Sequence, residues 1–564
     1  MQNDLDLALE KIKKKDFPEA IKIYEKILNQ EPENFDANLN LGSIYAQTKN
    51  FSKASELWSN AIKINPKIPD VHNNLAMIEI TLKNYDKAIE YAQNAIKLNP
   101  NFFLAFNNLG IAQKEKGNYE EAKSSFQKSI SINSKGFLAY YNLGIVNYEL
   151  NDAVNSEESY IKSIENNPKY ISAYINLLNL YEKLNKTKKL EKLLNQAKKV
   201  FPGNDSLKLI EGKLNFKIKN YEKNSTLLQS LNFNSTNKNR EILRLTILAK
   251  SLDKIGNYTD AFKYFKEANS LNYEVNKNRV DKNRTLETIE RRINFFKNSE
   301  NLKWNNKNQE ISDNDPIFLV GFPRSGTTLL DTILRTHPKV NVIEEKPIIS
   351  KFIENLNIKI NSNLEKLNSL DEKSISDMRS FYFKIREKYI YENKEINIDK
   401  MPLNLIHMAE IIKFFPNAKF IFAIRHPRDC VLSSFMQSFS LNDSMANFLT
   451  LEGSIIFYNK LMELWNIYTS SLEINFHIIK YESVVSNFNE TINNLLQYLN
   501  LEWSDKIIKF HKTAAKRGLI STPSYDQVNR PIYSESVGRW KNYEKEFLNI
   551  KISLDTWIKK FSYR

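Results

Sequence analysis

Residues 317–330 read IFLVGFPRSGTTLL: a short apolar run from Ile317 to Val320, two glycines at Gly321 and Gly326, and an apolar helical stretch after Thr327 and Thr328. Strand, glycine loop and helix follow in the order of the GxxxxGK[ST] pattern, whose backbone N–H groups and helix N-terminus cradle a phosphate. One position departs from that pattern. Thr327 stands where a lysine would reach the β and γ phosphates, and a cation appears earlier, at Arg324. Triphosphate hydrolysis is therefore disfavoured, while Arg324, Ser325, Gly326, Thr327 and Thr328 remain candidates for holding a phosphate. Further along, apolar runs at Ile396–Ile398, Lys419–Ile424 and Phe476–Ile479 alternate with helical segments. Such runs, buried on both faces, predict a parallel sheet covered by helices, with its ligand at the carboxyl ends of the strands.

Upstream the pattern is different. Pro32, Pro66, Pro100, Pro168 and Pro202 keep a spacing of 34 residues or twice that. Gly42, Ala76, Gly110, Gly144 and Gly212 share the phase, as do Ala20, Ala54, Ala88 and Ala122. Lys49-Asn50-Phe51, Lys83-Asn84-Tyr85 and Gly117-Asn118-Tyr119 mark a short turn between two helices. This resembles the tetratricopeptide repeat, whose paired helices need small residues to approach closely and whose units bury a core only by stacking. The phase decays at Leu178 and Leu190 and returns loosely at Gly256-Asn257-Tyr258 and Ala261. The expected organisation is a repeat array over residues 1–272, a linker over 273–315 that includes the polar run 304–310, and a second domain over 316–564. In fold class this is an all-helical tetratricopeptide superhelix followed by a P-loop-containing α/β domain with a central parallel sheet.

Composition bounds the remaining choices. With 564 residues, 41% hydrophobic and 26% charged, the chain can bury several cores and exceeds a single compact domain. Lys and Arg number 81 against 66 Asp and Glu, a net charge of +15 that suits anionic partners without choosing among them. Cys430, the one cysteine, excludes an intrachain disulfide and any cysteine-rich metal or iron-sulfur site. No secretory signal pattern and no apolar stretch of roughly 20 residues is found. A cytoplasmic location is expected, with no membrane span, no nucleic acid and no metal.

In the C-terminal domain, Pro323–Thr328 (PRSGTT) resembles the sulfotransferases that use 3′-phosphoadenosine 5′-phosphosulfate (PAPS), tyrosylprotein sulfotransferases most of all. Thr336-His337-Pro338 followed by Glu344-Glu345 is similar to that family's helix end and catalytic acidic pair. Asp399-Lys400-Met401-Pro402 resembles its catalytic lysine segment. Phe422–Asp429, with Ser433 beyond it, resembles the strand, arginine and serine that hold the 3′-phosphate, and Ser524–Pro531 with Arg539-Trp540 its cofactor-covering segment. The resemblance implies catalytic roles for Glu345, Lys400 and Arg324. It implies PAPS contacts for Arg324, Ser325, Gly326, Thr327, Thr328, Arg425 and Ser433, and also for Tyr481, Ser524 and Arg539.

The same residues suit sulfuryl transfer chemically. An attacking hydroxyl must lose its proton, a task for a carboxylate such as Glu345, with His407 as a substitute. Charge grows on the leaving phosphate, where Lys400 and Arg324 can stabilise it without a metal. Arg425 with Ser433 can distinguish a 3′-phosphate by charge-assisted hydrogen bonds. The acceptor stays open among a peptide tyrosine, a glycan and a small molecule, because Lys346-Pro347 supplies only one basic group after the acidic pair. The array is expected to bind a protein partner or present the acceptor. The alternative is an interaction scaffold whose nucleotide-binding domain is catalytically idle.

Overall fold

The computed structural model describes residues 2–233, 237–298, 315–390, 394–516, 531–532 and 534–563. Two compact units divide between Leu214 and Asn215.

The first unit is a tetratricopeptide superhelix of antiparallel helix pairs, among them Phe35–Gln47 with Phe51–Ile64 and Phe103–Glu115 with Tyr119–Ile132. At every turn between paired helices one residue adopts the left-handed conformation, and its spacing restates the repeat: Lys15, Lys49, Lys83, Gly117, Asn151 and Asn185. The small residues are set by what faces them. A side chain on Gly42, Gly110 or Gly144 would lie 2.6–2.7 Å from the ring of Trp58, Phe126 or Tyr160 in the paired helix. Ala76 replaces glycine where the facing residue shrinks to Ala92, and both are buried. At Leu178 the sequence phase fades but the pair Ile171–Lys183 and Thr187–Val200 persists, with Leu178, Leu190 and Leu194 buried in one core.

Asparagines that recur in phase brace neighbouring repeats. Asn108 Nδ2 donates to Asn73 Oδ1 at 2.9 Å, Asn142 to Asn107 at 3.4 Å and Asn176 to the Tyr141 hydroxyl at 3.3 Å.

The second unit contains helices Lys238–Lys254, Tyr258–Asn276 and Lys282–Asn298 together with the sheet domain. Residues 215–272, grouped with the array by their repeat-like phase, thus pack with the sheet domain, because their exposed aromatic and polar faces find partners there. Phe262 lies 4.9 Å from Phe435, and Asn269 Nδ2 donates to the Phe435 carbonyl at 2.9 Å. Much of the expected linker is likewise structural: helix Lys282–Asn298 buries Ile289, Arg292, Ile293 and Phe296, and Arg292 is ion-paired with buried Glu410. The polar run 304–310 lies outside the described residues.

Five parallel strands form the sheet: β1 Ile317–Gly321, β2 Val340–Glu344, β3 Ile396–Lys400, β4 Lys419–Ile424 and β5 Asn475–Lys480, in the order β2-β3-β1-β4-β5. Their central runs are buried as expected, with Phe318, Leu319 and Val320 of β1 and Phe420, Ile421 and Phe422 of β4 at 0% exposure. β2 was not anticipated from the sequence. Its Asn341 interrupts the apolar run and is satisfied by bonding Asn397 of β3 at 3.1 Å. Phe422 stacks on Trp465 of the helix Leu451–Ser471, with ring centroids 3.8 Å apart. Among the described residues no helix is long and apolar enough to cross a membrane.

Gly110→Val is expected to force the Phe126 ring out of place and cost about 1–3 kcal/mol by overpacking. A lower urea midpoint for the helical signal checks this; an unchanged midpoint would show that the pair tolerates a side chain there.

Candidate active site at the carboxyl edge of the sheet

Each strand delivers at least one candidate residue to the same edge. Across the sheet these are Glu344 at the end of β2 with Glu345 just after it, Lys400 at the end of β3, and the loop 322–326 after β1. Arg425 follows β4 and Tyr481 follows β5. Because all five strands are parallel, their carboxyl ends lie on one side. The loop leaves the strand from which the order runs both ways, which is where doubly wound sheets open a crevice.

The loop is held from three directions. A side chain on Gly321 would lie 2.5 Å from the Ala423 carbonyl, so only glycine lets β1 turn there. Gly326 has a φ of 99°, and the Tyr481 ring packs where its side chain would be, 2.8 Å away. From the helix Pro427–Phe435, Ser434 Oγ donates to the Pro323 carbonyl at 3.3 Å, and Arg324 Nε donates to Ser433 Oγ at 3.1 Å. Arg324 itself adopts the left-handed conformation, with a φ of 69°. Thr327 and Thr328 open the helix Thr327–Arg335, and at the first two helical positions their N–H groups have no intrahelical acceptor.

Glu345 and Lys400 form an ion pair through Oε1 and Nζ, and the Glu345 N–H donates to the Lys400 carbonyl at 2.8 Å. Lys400 has 0% exposed surface and Glu344 lies 3.9 Å from its ammonium, whereas the Glu345 side chain keeps 35% of its surface in solvent. Glu345 also sits at a φ of 48°, a conformation uncommon for a non-glycine residue. Asp399, which precedes Lys400 on β3 and pairs in register with Ile343 of β2, is buried, and burial pushes its carboxyl up to about 7. His407 is held apart from this pair, 3.1 Å from the Arg292 guanidinium, and burial lowers its pKa.

Arg425 is nearly buried. Its guanidinium lies 5.1 Å from the centre of the Tyr481 ring, one terminal nitrogen donates to the Ser536 carbonyl and the other to the Arg324 carbonyl at 3.3 Å. Burial raises the Tyr481 hydroxyl pKa. Two buried polar atoms here have no protein partner among the described residues: Arg425 Nε and Ser325 Oγ. An anion bound at the loop would satisfy such donors, so these residues fit a phosphate-bearing ligand. The Arg539 guanidinium is paired with Asp253, 2.8 Å from a terminal nitrogen. Ser524 lies outside the described residues.

Asp429 escaped notice as a site residue although it belongs to the same motif as Arg425. Fully buried, it accepts the N–H groups of Gly538 at 2.7 Å and Trp540 at 2.9 Å and so ties the C-terminal segment to the site. The Trp540 ring is stacked on His426 and lies under the Arg428 guanidinium at 4.4 Å, which gives Arg428 a packing role. Among the described residues no group of three or more His, Cys, Asp and Glu side chains is arranged to hold a metal ion.

Residues 316–505 match the model of the sulfotransferase family, and residues 11–78, 69–102 and 91–124 match tetratricopeptide repeat models. The chain therefore joins tetratricopeptide repeats to a sulfotransferase-family domain. It is 29% identical over 317 residues to an uncharacterized protein of Aquifex aeolicus (strain VF5), covering 53% of this chain and 39% of that one. Protein-tyrosine sulfotransferase 1 of Danio rerio is 30% identical over 242 residues, 40% of this chain and 65% of its own length. The chain spans less than two thirds of the length of either relative. A solved tetratricopeptide repeat protein from Parabacteroides merdae aligns with 44% of this chain and 98% of its own, at 18% identity and a TM-score of 0.36.

The Asp399 carboxyl makes a pH-dependent prediction. The folded chain keeps a proton on it up to about pH 7, whereas the unfolded chain releases it near the ordinary value of 3.8. Stability from this group is thus full below that ordinary value and lost as the pH rises through 7. Asp399→Asn should flatten that fall, so its urea midpoint gains on the wild type between pH 5 and pH 8; parallel curves would mean Asp399 is charged throughout.

Proposed function

We propose that residues 316–564 transfer a sulfuryl group from PAPS to a hydroxyl acceptor. The carrying observation is the Glu345–Lys400 ion pair, formed by residues that end adjacent strands beside a phosphate-cradling loop. In this reading Glu345 takes the acceptor proton as the hydroxyl oxygen bonds to sulfur and the bond from sulfur to the 5′-phosphate breaks. Its solvent-facing side chain is the accessible member of the pair, and its left-handed backbone is the kind of local strain that function retains. Bound as donor, PAPS supplies the sulfuryl group. Lys400 and Arg324 offset the charge left on the departing phosphate, and burial keeps Lys400 from being screened by water. The loop N–H groups with Ser325, Thr327 and Thr328 hold the 5′ side, while Arg425 and Ser433 read the 3′-phosphate. Tyr481 supports both by packing on Gly326 and under Arg425.

The names of the relatives make peptide tyrosine the first acceptor to test, with glycans and small hydroxyl compounds next. Lys346, exposed beside Glu345 and 5.7 Å from the centre of the Tyr389 ring, offers one positive charge to an acidic acceptor. In this reading the repeat array of residues 1–214 recruits the acceptor or a partner that carries it.

Transfer of labelled sulfate from PAPS to a panel of tyrosine peptides, glycans and cell extract tests the activity. Glu345→Gln keeps the shape of the side chain and should lower turnover by about 10²–10⁴. Lys400→Ala should also lose turnover. Wild-type turnover by Glu345→Gln would place the base elsewhere, and the absence of any sulfated product across the panel would favour an idle domain.

A chain starting at Asn215 keeps the second unit whole. It should retain transfer to small surrogate acceptors while the apparent KM for a macromolecular acceptor rises. An unchanged KM would remove recruitment from the array's role.

A further inference from the structure

The segment Ser536–Tyr543 is held by two buried aspartates, Asp429 and Asp253. On the sheet side, Asp429 accepts the backbone N–H groups of Gly538 and Trp540. On the helical side, Asp253 accepts from the Arg539 guanidinium, at 2.8 Å from a terminal nitrogen and 3.3 Å from Nε, and from the Tyr543 hydroxyl at 2.7 Å. Asp253 is 8% exposed and stands in the last turn of helix Lys238–Lys254. Tyr258, which opens the next helix, packs edge-on against Tyr543 with ring centroids 5.3 Å apart.

This segment touches Arg425 directly through the Ser536 carbonyl, and indirectly through Asp429, which lies 3.9 Å from the same guanidinium. The Ser536 carbonyl accepts from Arg425, the arginine whose remaining Nε is buried without a protein partner. The same two helices also hold the far end of the site. Phe262 and Phe265 pack on Phe435, and Asn269 bonds the Phe435 carbonyl, so the helix bearing Ser433 is fixed at its C-terminus by residues of the Tyr258–Asn276 helix. Arg425 and Ser433 are therefore both positioned from the helical pair 238–276, one through this segment and one directly.

We propose that Asp253 is a positioning residue of the nucleotide site, fixing the segment Ser536–Tyr543 so that Arg425 is oriented toward a 3′-phosphate. Arg539 then acts through Asp253 on the segment and does not itself contact the nucleotide. Charge makes this attachment directional. A carboxylate that accepts two guanidinium N–H groups and a hydroxyl fixes both residues 539 and 543, which an apolar contact of the same size would leave free to rotate. Helices with the look of repeats are thereby part of the nucleotide site, and the inference rests on the sulfotransferase reading of that site.

Titration calorimetry on the full-length chain tests it with two ligands, adenosine 3′,5′-bisphosphate and adenosine 5′-monophosphate. The wild type should bind the bisphosphate more tightly. Asp253→Asn should weaken the bisphosphate by about tenfold or more, the weight of one charge-assisted hydrogen bond, while leaving the monophosphate within about twofold. Tyr543→Phe, which removes only a hydroxyl, should shift the bisphosphate in the same direction by less. Variants that keep the wild-type preference overturn the role of Asp253 and leave the nucleotide reading standing. An equal loss for both ligands assigns Asp253 to fold stability and overturns it as well. A wild type that binds the two ligands alike overturns the nucleotide reading itself, and this inference with it.

Discussion

Parallel pairing of β1 between β3 and β4 is the constraint on which the rest of the sheet domain depends. The register of Leu319 with Lys400 and of Gly321 with Ala423 fixes where the loop begins relative to the lysine on one side and Arg425 on the other. Parallel strands bring all their carboxyl ends to one edge, so residues separated by up to about 160 positions become neighbours without any loop having to reach. The close approach of Gly321 to the Ala423 carbonyl is what permits that register. A side chain there would push β1 from β4 and displace the loop from the helix that carries Ser433 and Ser434.

Charge at this edge is buried, and burial sets its chemistry. An ammonium with no exposed surface needs compensation, and Lys400 finds it in two carboxylates on the neighbouring strand. The pairing is asymmetric because β2 ends at Glu344, leaving Glu345 just beyond the strand with 35% of its side chain in solvent. The Glu345 N–H bonds the Lys400 carbonyl as a continuation of the parallel ladder, and the positive φ of Glu345 then turns the chain away from β3. Arg425 meets the same requirement differently, through backbone carbonyls and the face of Tyr481. Asp429 Oδ2 also lies 3.9 Å from one terminal nitrogen and compensates part of the charge, while Nε keeps no protein partner among the described residues.

The repeats solve a packing problem rather than an electrostatic one. Each helix pair trades volume across a single contact, glycine against Trp58, Phe126 or Tyr160 and Ala76 against Ala92. The left-handed turn residue costs roughly 1–2 kcal/mol for lysine, a penalty the stacked core must offset at Lys15, Lys49 and Lys83. The asparagine contacts between repeats satisfy polar groups that half-burial would otherwise strand.

By itself the sequence determined the repeat period, the strands β1, β3, β4 and β5, and the loop with its arginine. Each of these is a local pattern: a spacing of 34, a run of buried residues, or a pair of glycines ahead of a helix. Glu345, Lys400, Arg425 and Ser433 were legible because each lies within a short motif, and the structure brings their strands to one edge. β2 is not among the runs read from the sequence, and what fixes it is its pairing with β3, where Asn341 bonds Asn397, 56 residues away. Tertiary structure alone decided that residues 215–298 pack with the sheet domain, because their repeat-like periodicity describes helices and says nothing of what covers them. It also decided that Arg539 turns to Asp253, 286 residues distant, since a guanidinium near the C-terminus takes whichever carboxylate folding brings closest.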